Sequence, residues 1–208
     1  MDTLYNNWNT ITSRYSSDEQ LSQTLYTNLV ERYNESGRHY HNLTHVQTLL
    51  YDIGEYYGGA IPDELFFAVW FHDAIYNTII GNNEARSADL AVEQLEKLEV
   101  PANIIARVKD LILKTADHAA ADAYDEATKV FLDADLKILG APAEVYEQYT
   151  QQVRREYHLI PDMLFKPGRR KFVERTLALP GIFRTEYFES RYEAQARINL
   201  ANEVKQLS

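Results

Sequence analysis

The stretch RHYHNLTHV, residues 38–46, places three histidines within seven positions of a chain that carries six in all. Imidazole nitrogen binds divalent metals and moves protons near neutral pH. Either chemistry needs other polar groups to converge on the stretch. His45 falls in the first turn of a predicted helix whose apolar face is Val46, Leu49, Leu50 and Ile53, so its ring can point inward. His41 lies one helical step earlier, and His39 alternates away. A second candidate is the pair His72-Asp73, directly after the run Leu65 to Phe71, which is apolar on every side. An aspartate is rarely buried unless it is paired or binds a metal, and an unpaired buried charge costs several kcal/mol, at least roughly. Asp73 therefore calls for a positive partner: an arginine, its histidine neighbour or a metal ion.

The segment FLDADLKILG, residues 131–140, supplies a second test. Read as a helix, it flanks Asp135 with Phe131, Leu132, Ile138 and Leu139, and Asp133 with Lys129, Val130, Leu136 and Lys137. That pattern predicts Asp135 as the inward carboxylate and Asp133 as the outward or rim one. His118 ends the stripe Ile104, Val108, Leu111 and Thr115, beside the loop ADHAAADAYDE, and is expected at a pocket mouth. Two carboxylates pushed into apolar layers, one beside a histidine, are better explained by a shared cation than by separate ion pairs. His45, His72, Asp73 and Asp135 make a mixed nitrogen and oxygen set suited to one octahedral divalent ion, Mn²⁺, Mg²⁺, Fe²⁺, Co²⁺ or Ni²⁺. Zinc is less favoured, because its sites close down to four ligands.

The elements that must carry these residues are helical almost throughout. Asp18-Glu19-Gln20 predicts a helix start that runs towards Gly37. Asn42 or Thr44 can cap the next helix, which Gly58-Gly59 ends. Pro62-Asp63 opens another through Tyr76, and the sequence EARSADLAVEQLEKL follows as its own helix. Pro101 sits where a first-turn proline belongs. A helix from about residue 125 stops at Gly140, and one more spans 142–157. KPGRR, 166–170, is predicted as a turn, with two last helices near 169–178 and 187–206. No repeat, linker or low-complexity segment interrupts the pattern, so the expectation is one all-α domain over residues 1–208.

Composition narrows the function. The 208 residues contain no cysteine, which excludes disulfides, thiolate zinc sites and cysteine nucleophiles and fits a reducing, cytoplasmic setting. The N-terminus has no basic region followed by an apolar stretch, so no signal peptide is expected. No apolar run approaches the ~20 residues of a membrane span. A net charge of −10 disfavours general binding to nucleic-acid backbone. It is compatible with a small phosphorylated ligand held by local basic groups, of which Arg38, Lys137 and Arg154 are the best placed. The aromatic-rich first helix could cover a second copy, as a homodimer.

His45, His72-Asp73 and Asp135 within DADLK resemble the H…HD…D signature of the HD-domain superfamily, an all-helical group of mostly metal-dependent phosphohydrolases. RxYHNxxH at 38–45, FHDAIY at 71–76, NNEARSA at 82–88, KTADH at 114–118, FLDADLKILG at 131–140, RREY at 154–157 and EAQARINL at 193–200 extend the likeness. In this order they resemble the predicted metal-dependent HD-superfamily phosphohydrolases over roughly residues 5–202. The resemblance implies a single-domain HD-type helical bundle with His45, His72, Asp73 and Asp135 as metal ligands. It implies that Asp133 is the signature's non-ligating acid. It also implies that Glu84 and His118 handle the attacking water or the leaving oxygen. The implied substrate is a small phosphate ester, a nucleotide first of all. The alternative is a non-hydrolytic metal protein of the same fold, either a nucleotide-binding module or an iron oxygenase.

Overall fold

A computed structural model describes residues 3–118 and 124–207. Among these residues there are ten α-helices and no strand, so the fold is all-α, as the sequence predicts. The chain divides into two compact units, Met1–Ala116 and Asp117–Ser208. Part of the loop ADHAAADAYDE, residues 119–123, lies outside the described residues. No described helix is long and apolar enough to cross a membrane.

The first unit holds α1 (Thr3–Thr12), α2 (Glu19–Tyr33), α3 (Leu43–Tyr56), α4 (Asp63–Phe71), α5 (Asn83–Lys97) and α6 (Ala102–Lys114). Helix α4 is its central rod. All seven residues from Leu65 to Phe71 are buried, and side chains of this kind contribute roughly 1.5–3 kcal/mol each when taken fully out of water. Trp8 of α1 packs edge-on against Trp70, with ring centroids 5.5 Å apart. Its indole N–H reaches the Ser22 carbonyl of α2 at 3.1 Å, so the three helices are locked through one buried indole. The start of α3 is fixed by Asn42, whose side-chain oxygen accepts from the Thr44 N–H at 2.9 Å. This is one of the two capping residues the sequence offers.

Helix α4 stops at Phe71, earlier than its apolar pattern predicts. Its last carbonyls find partners from outside the helix. Those of Ala68 and Phe71 accept from the backbone N–H groups of His72 and Ala74. The Val69 carbonyl meets Nδ1 of the His72 ring at 2.9 Å, and the Trp70 carbonyl accepts from the Tyr33 hydroxyl at 3.1 Å. A helix end with its orphan carbonyls satisfied in this way has no need of another turn.

The second unit holds α7 (Glu126–Leu136), α8 (Ala143–Glu156), α9 (Asp162–Leu177) and α10 (Glu186–Gln206), with a short 3-10 turn, Lys137–Gly140, after α7. Helix α10 presses on that turn. The Asn199 amide donates to the carbonyls of Leu139 and Ala141 at 2.8 Å each. A side-chain carbon added at Gly140 would lie 2.6 Å from the Tyr192 carbonyl oxygen, so only glycine fits this approach. KPGRR is not a turn. Pro167 and Gly168 lie inside α9. The N–H that Pro167 lacks would have faced the carbonyl of Met163, an exposed residue in the first turn of the helix.

Candidate metal centre

His45 enters from the first turn of α3 and is buried. His72 follows the last residue of α4, and Asp73 lies in the turn beyond it. One donor atom from each of the three lies within 4.8 Å of the others, the one such group among the described residues. The Nε2 atoms of His45 and His72 are 3.1 Å apart. Asp73 Oδ2 stands 3.2 Å from His72 Nε2 and 3.7 Å from His45 Nε2.

The protonation logic of these atoms is constrained. A carbonyl only accepts, so the Val69 contact puts the His72 proton on Nδ1 and turns the Nε2 lone pair towards the cluster. That lone pair then faces a carboxylate oxygen and a second imidazole nitrogen. Acceptors facing one another at such distances need a cation between them, either a proton or a metal ion. Metal–ligand bonds of about 2.1 Å at right angles set neighbouring donor atoms about 3 Å apart, close to the observed separations. The carbonyl bond from the far ring nitrogen is also the support that metal-bound imidazoles use to hold their tautomer. The residues present therefore fit a divalent ion.

Electrostatics agree with this. Burial pushes the Asp73 carboxyl up, but His72, His41 and His45 together outweigh burial and hold it well below the usual carboxylate range. That shift belongs to protonated imidazoles; with the His72 Nε2 lone pair unprotonated, a divalent ion would supply the same positive charge. His41, one helical step before His45, is thus part of the surroundings. Its ring stacks on Tyr76 with centroids 4.5 Å apart and lies 5.8 Å from that of His45. The spacing H-x-x-x-H was the available signal.

Glu84 occupies the first turn of α5 and is half-buried. That turn is docked on the chain just beyond Asp73. The Ile75 N–H donates to the Ser87 hydroxyl at 3.0 Å, and the Asn77 N–H donates to the Asn83 side chain at 2.9 Å. Arg38 is buried, and its guanidinium donates to the carbonyls of His41, Asp73 and Ala74 at 3.0, 2.7 and 3.1 Å. The open groove of about 470 Å³ in this unit contains none of these residues; it lies along α2, with Leu25, Leu29 and Arg32 in its wall.

In the second unit His118 Nε2 meets Asp135 Oδ2 at 2.9 Å, and both side chains are partly exposed. The face assignment within α7 is corrected. Asp133 is fully buried, not at the rim. Its carboxylate accepts from the N–H of Arg184 at 2.8 Å, the N–H of Thr185 at 2.8 Å and the Thr185 hydroxyl at 2.8 Å. Burial raises the Asp133 carboxyl above its ordinary value, and these donors pull it back without cancelling the rise. Asp133 is thus a buried anchor for the entry to α10. Its partners lie 51 and 52 residues further along, so local neighbours could not reveal them. Arg184, which the sequence reading missed, also donates to the His118 carbonyl.

Arg154 and Lys137 are engaged as well. Arg154 binds Asp162 at 2.6 Å and the carbonyls of Tyr157 and Ile160 at 2.7 and 3.1 Å. Lys137 lies over the Tyr192 ring at 5.4 Å.

No family model, no curated protein and no solved structure matches this chain. What the geometry supplies is an all-α fold with a buried His45–His72–Asp73 cluster, a candidate metal-binding site.

Proposed function

We propose that the protein is a metal-dependent phosphohydrolase of the HD type, acting on a small phosphate ester, with nucleotides as the first class to examine. The observation that carries the reading is the His45–His72–Asp73 cluster, where two imidazole nitrogens and a carboxylate oxygen face one another at 3.1 to 3.7 Å. The order of the HD-like motifs supports the choice of phosphoryl chemistry and of Asp135 as a fourth ligand; it also supports one domain over the whole chain. A divalent ion held here would polarise a phosphoryl oxygen and lower the pKa of a bound water.

The chain's own groups take the remaining tasks. Asp73, kept ionised, offers its oxygen, and the carbonyl of Val69 keeps the His72 lone pair directed inward. Glu84 and His118 are the groups proposed to orient the water or protonate the leaving oxygen, a role typically worth ~10²–10⁴-fold in rate. Lys137 is the proposed phosphate cation. The absence of cysteine suits a reducing, cytoplasmic setting.

One observation favours a second reading. The cluster in the first unit is two histidines and one carboxylate, the set that non-haem iron oxygenases use. A phosphate-release screen across nucleotide mono-, di- and triphosphates and cyclic nucleotides, under Mn²⁺, Mg²⁺, Co²⁺ and Ni²⁺, separates the two. The phosphohydrolase reading expects metal-dependent release that Asp135→Ala abolishes together with metal binding. Oxygen consumption by the Fe²⁺-loaded protein with no phosphate release under any metal would replace it with the second reading.

A further inference from the structure

We propose that Arg38 is a positioning residue for the cation site: one guanidinium ties the segment leading into α3 to the turn that carries Asp73, and so sets the spacing of the ligand atoms. This rests on the cation-site reading above. The sequence alone suggests a different role, a phosphate donor. The geometry argues against that role, because the side chain is 2% exposed and both of its terminal nitrogens donate to protein carbonyls.

A single terminal nitrogen of Arg38 bridges the two halves of the site. It donates to the His41 carbonyl at 3.0 Å and to the Asp73 carbonyl at 2.7 Å. The other terminal nitrogen donates to the Ala74 carbonyl at 3.1 Å, and Nε stands 3.5 Å from the Glu35 carboxylate. The guanidinium carbon lies over the rings of Tyr33 and Tyr76, 5.0 and 5.5 Å from their centroids. Tyr33 in turn caps α4 through the Trp70 carbonyl, and Tyr76 stacks on His41.

The consequence for the site is direct. His41 lies one helical step before His45, and Asp73 is itself a ligand. Residues 72–74 lie past the end of α4; the His72 and Ala74 N–H groups bond back to it, but no further helical turn holds the carbonyls of Asp73 and Ala74. The carbonyl bonds from Arg38 do that work. An ammonium group cannot reproduce them, because it lacks the planar fork of donors.

The test compares Co²⁺ affinity with the thermal midpoint of the metal-free protein in wild type, Arg38→Lys, Arg38→Ala and Asp18→Ala. Asp18 caps α2 and accepts from Leu21, so its loss destabilises the same unit away from the cluster. The expected result is a loss of Co²⁺ affinity in Arg38→Lys of roughly 10–100-fold, the range for groups that orient metal ligands. Asp18→Ala, at a similar loss of thermal midpoint, keeps its affinity. Ethylguanidinium restores part of the affinity of Arg38→Ala and none in Arg38→Lys. Affinities unchanged in both Arg38 variants would overturn the positioning role, as would an equal loss in Asp18→Ala. No Co²⁺ binding by wild type would refute the cation site itself, and this proposal with it.

Discussion

Asp73 and Asp133 are both carboxylates carried among buried apolar side chains, and their surroundings are opposite. Asp133 is met by donors: two backbone N–H groups and a hydroxyl, all at 2.8 Å at their nearest. Asp73 is met by imidazole nitrogens, one with its lone pair turned towards it. Their acidities move in opposite directions, Asp73 downward when the imidazoles around it carry protons and Asp133 upward because burial dominates. A buried carboxylate satisfied by protein donors is a structural anchor. One that faces other acceptors is waiting for a cation. Asp133 is fully buried and Asp73 only partly so, but it is the character of the facing atoms that separates anchor from candidate ligand.

Four substitutions sharpen or break that contrast. His72→Ala removes the best-oriented ligand, and Co²⁺ affinity is expected to fall at least about 100-fold in a titration followed by visible absorption, more than loss of an orienting group would give. Asp133→Ala leaves buried donors without partners, and chemical denaturation should show a loss of about 3 kcal/mol. Were Asp133→Ala to lose the metal while remaining as stable as wild type, the contrast would collapse. Gly140→Ala forces a carbon against the Tyr192 backbone, for a loss of about 2 kcal/mol by the same measurement and no change in metal affinity. Asn42→Ala uncaps the helix that carries His45, for a loss of about 1 kcal/mol and only a slight drop in Co²⁺ affinity.

The helical class was plain in the sequence, because apolar residues recur at helical spacing and caps such as Asn42 and Asp18 stand where helices begin. The pairing of His45 with His72 and Asp73 was also legible, since histidines are few and two of them adjoin apolar faces. The end of α4 was not. Ala74, Ile75 and Tyr76 continue its apolar pattern, but Tyr33 takes the Trp70 carbonyl at the helix end and Arg38 takes the carbonyls of Asp73 and Ala74 just beyond it. The burial of Asp133 was misjudged for a similar reason. Its partners, Arg184 and Thr185, are distant in sequence and are mostly backbone groups, which carry no residue-type signal. KPGRR was read as a turn because proline and glycine weigh heavily in local preference, whereas α9 runs through both.

The most direct test is the metal content of the purified protein after equilibrium dialysis against Co²⁺ or Mn²⁺, for wild type, Asp73→Ala and Asp133→Asn. The account predicts one tightly held ion per chain in wild type and in Asp133→Asn, and none in Asp73→Ala. Full retention of the ion by Asp73→Ala, or a wild-type protein that holds no ion, would contradict it.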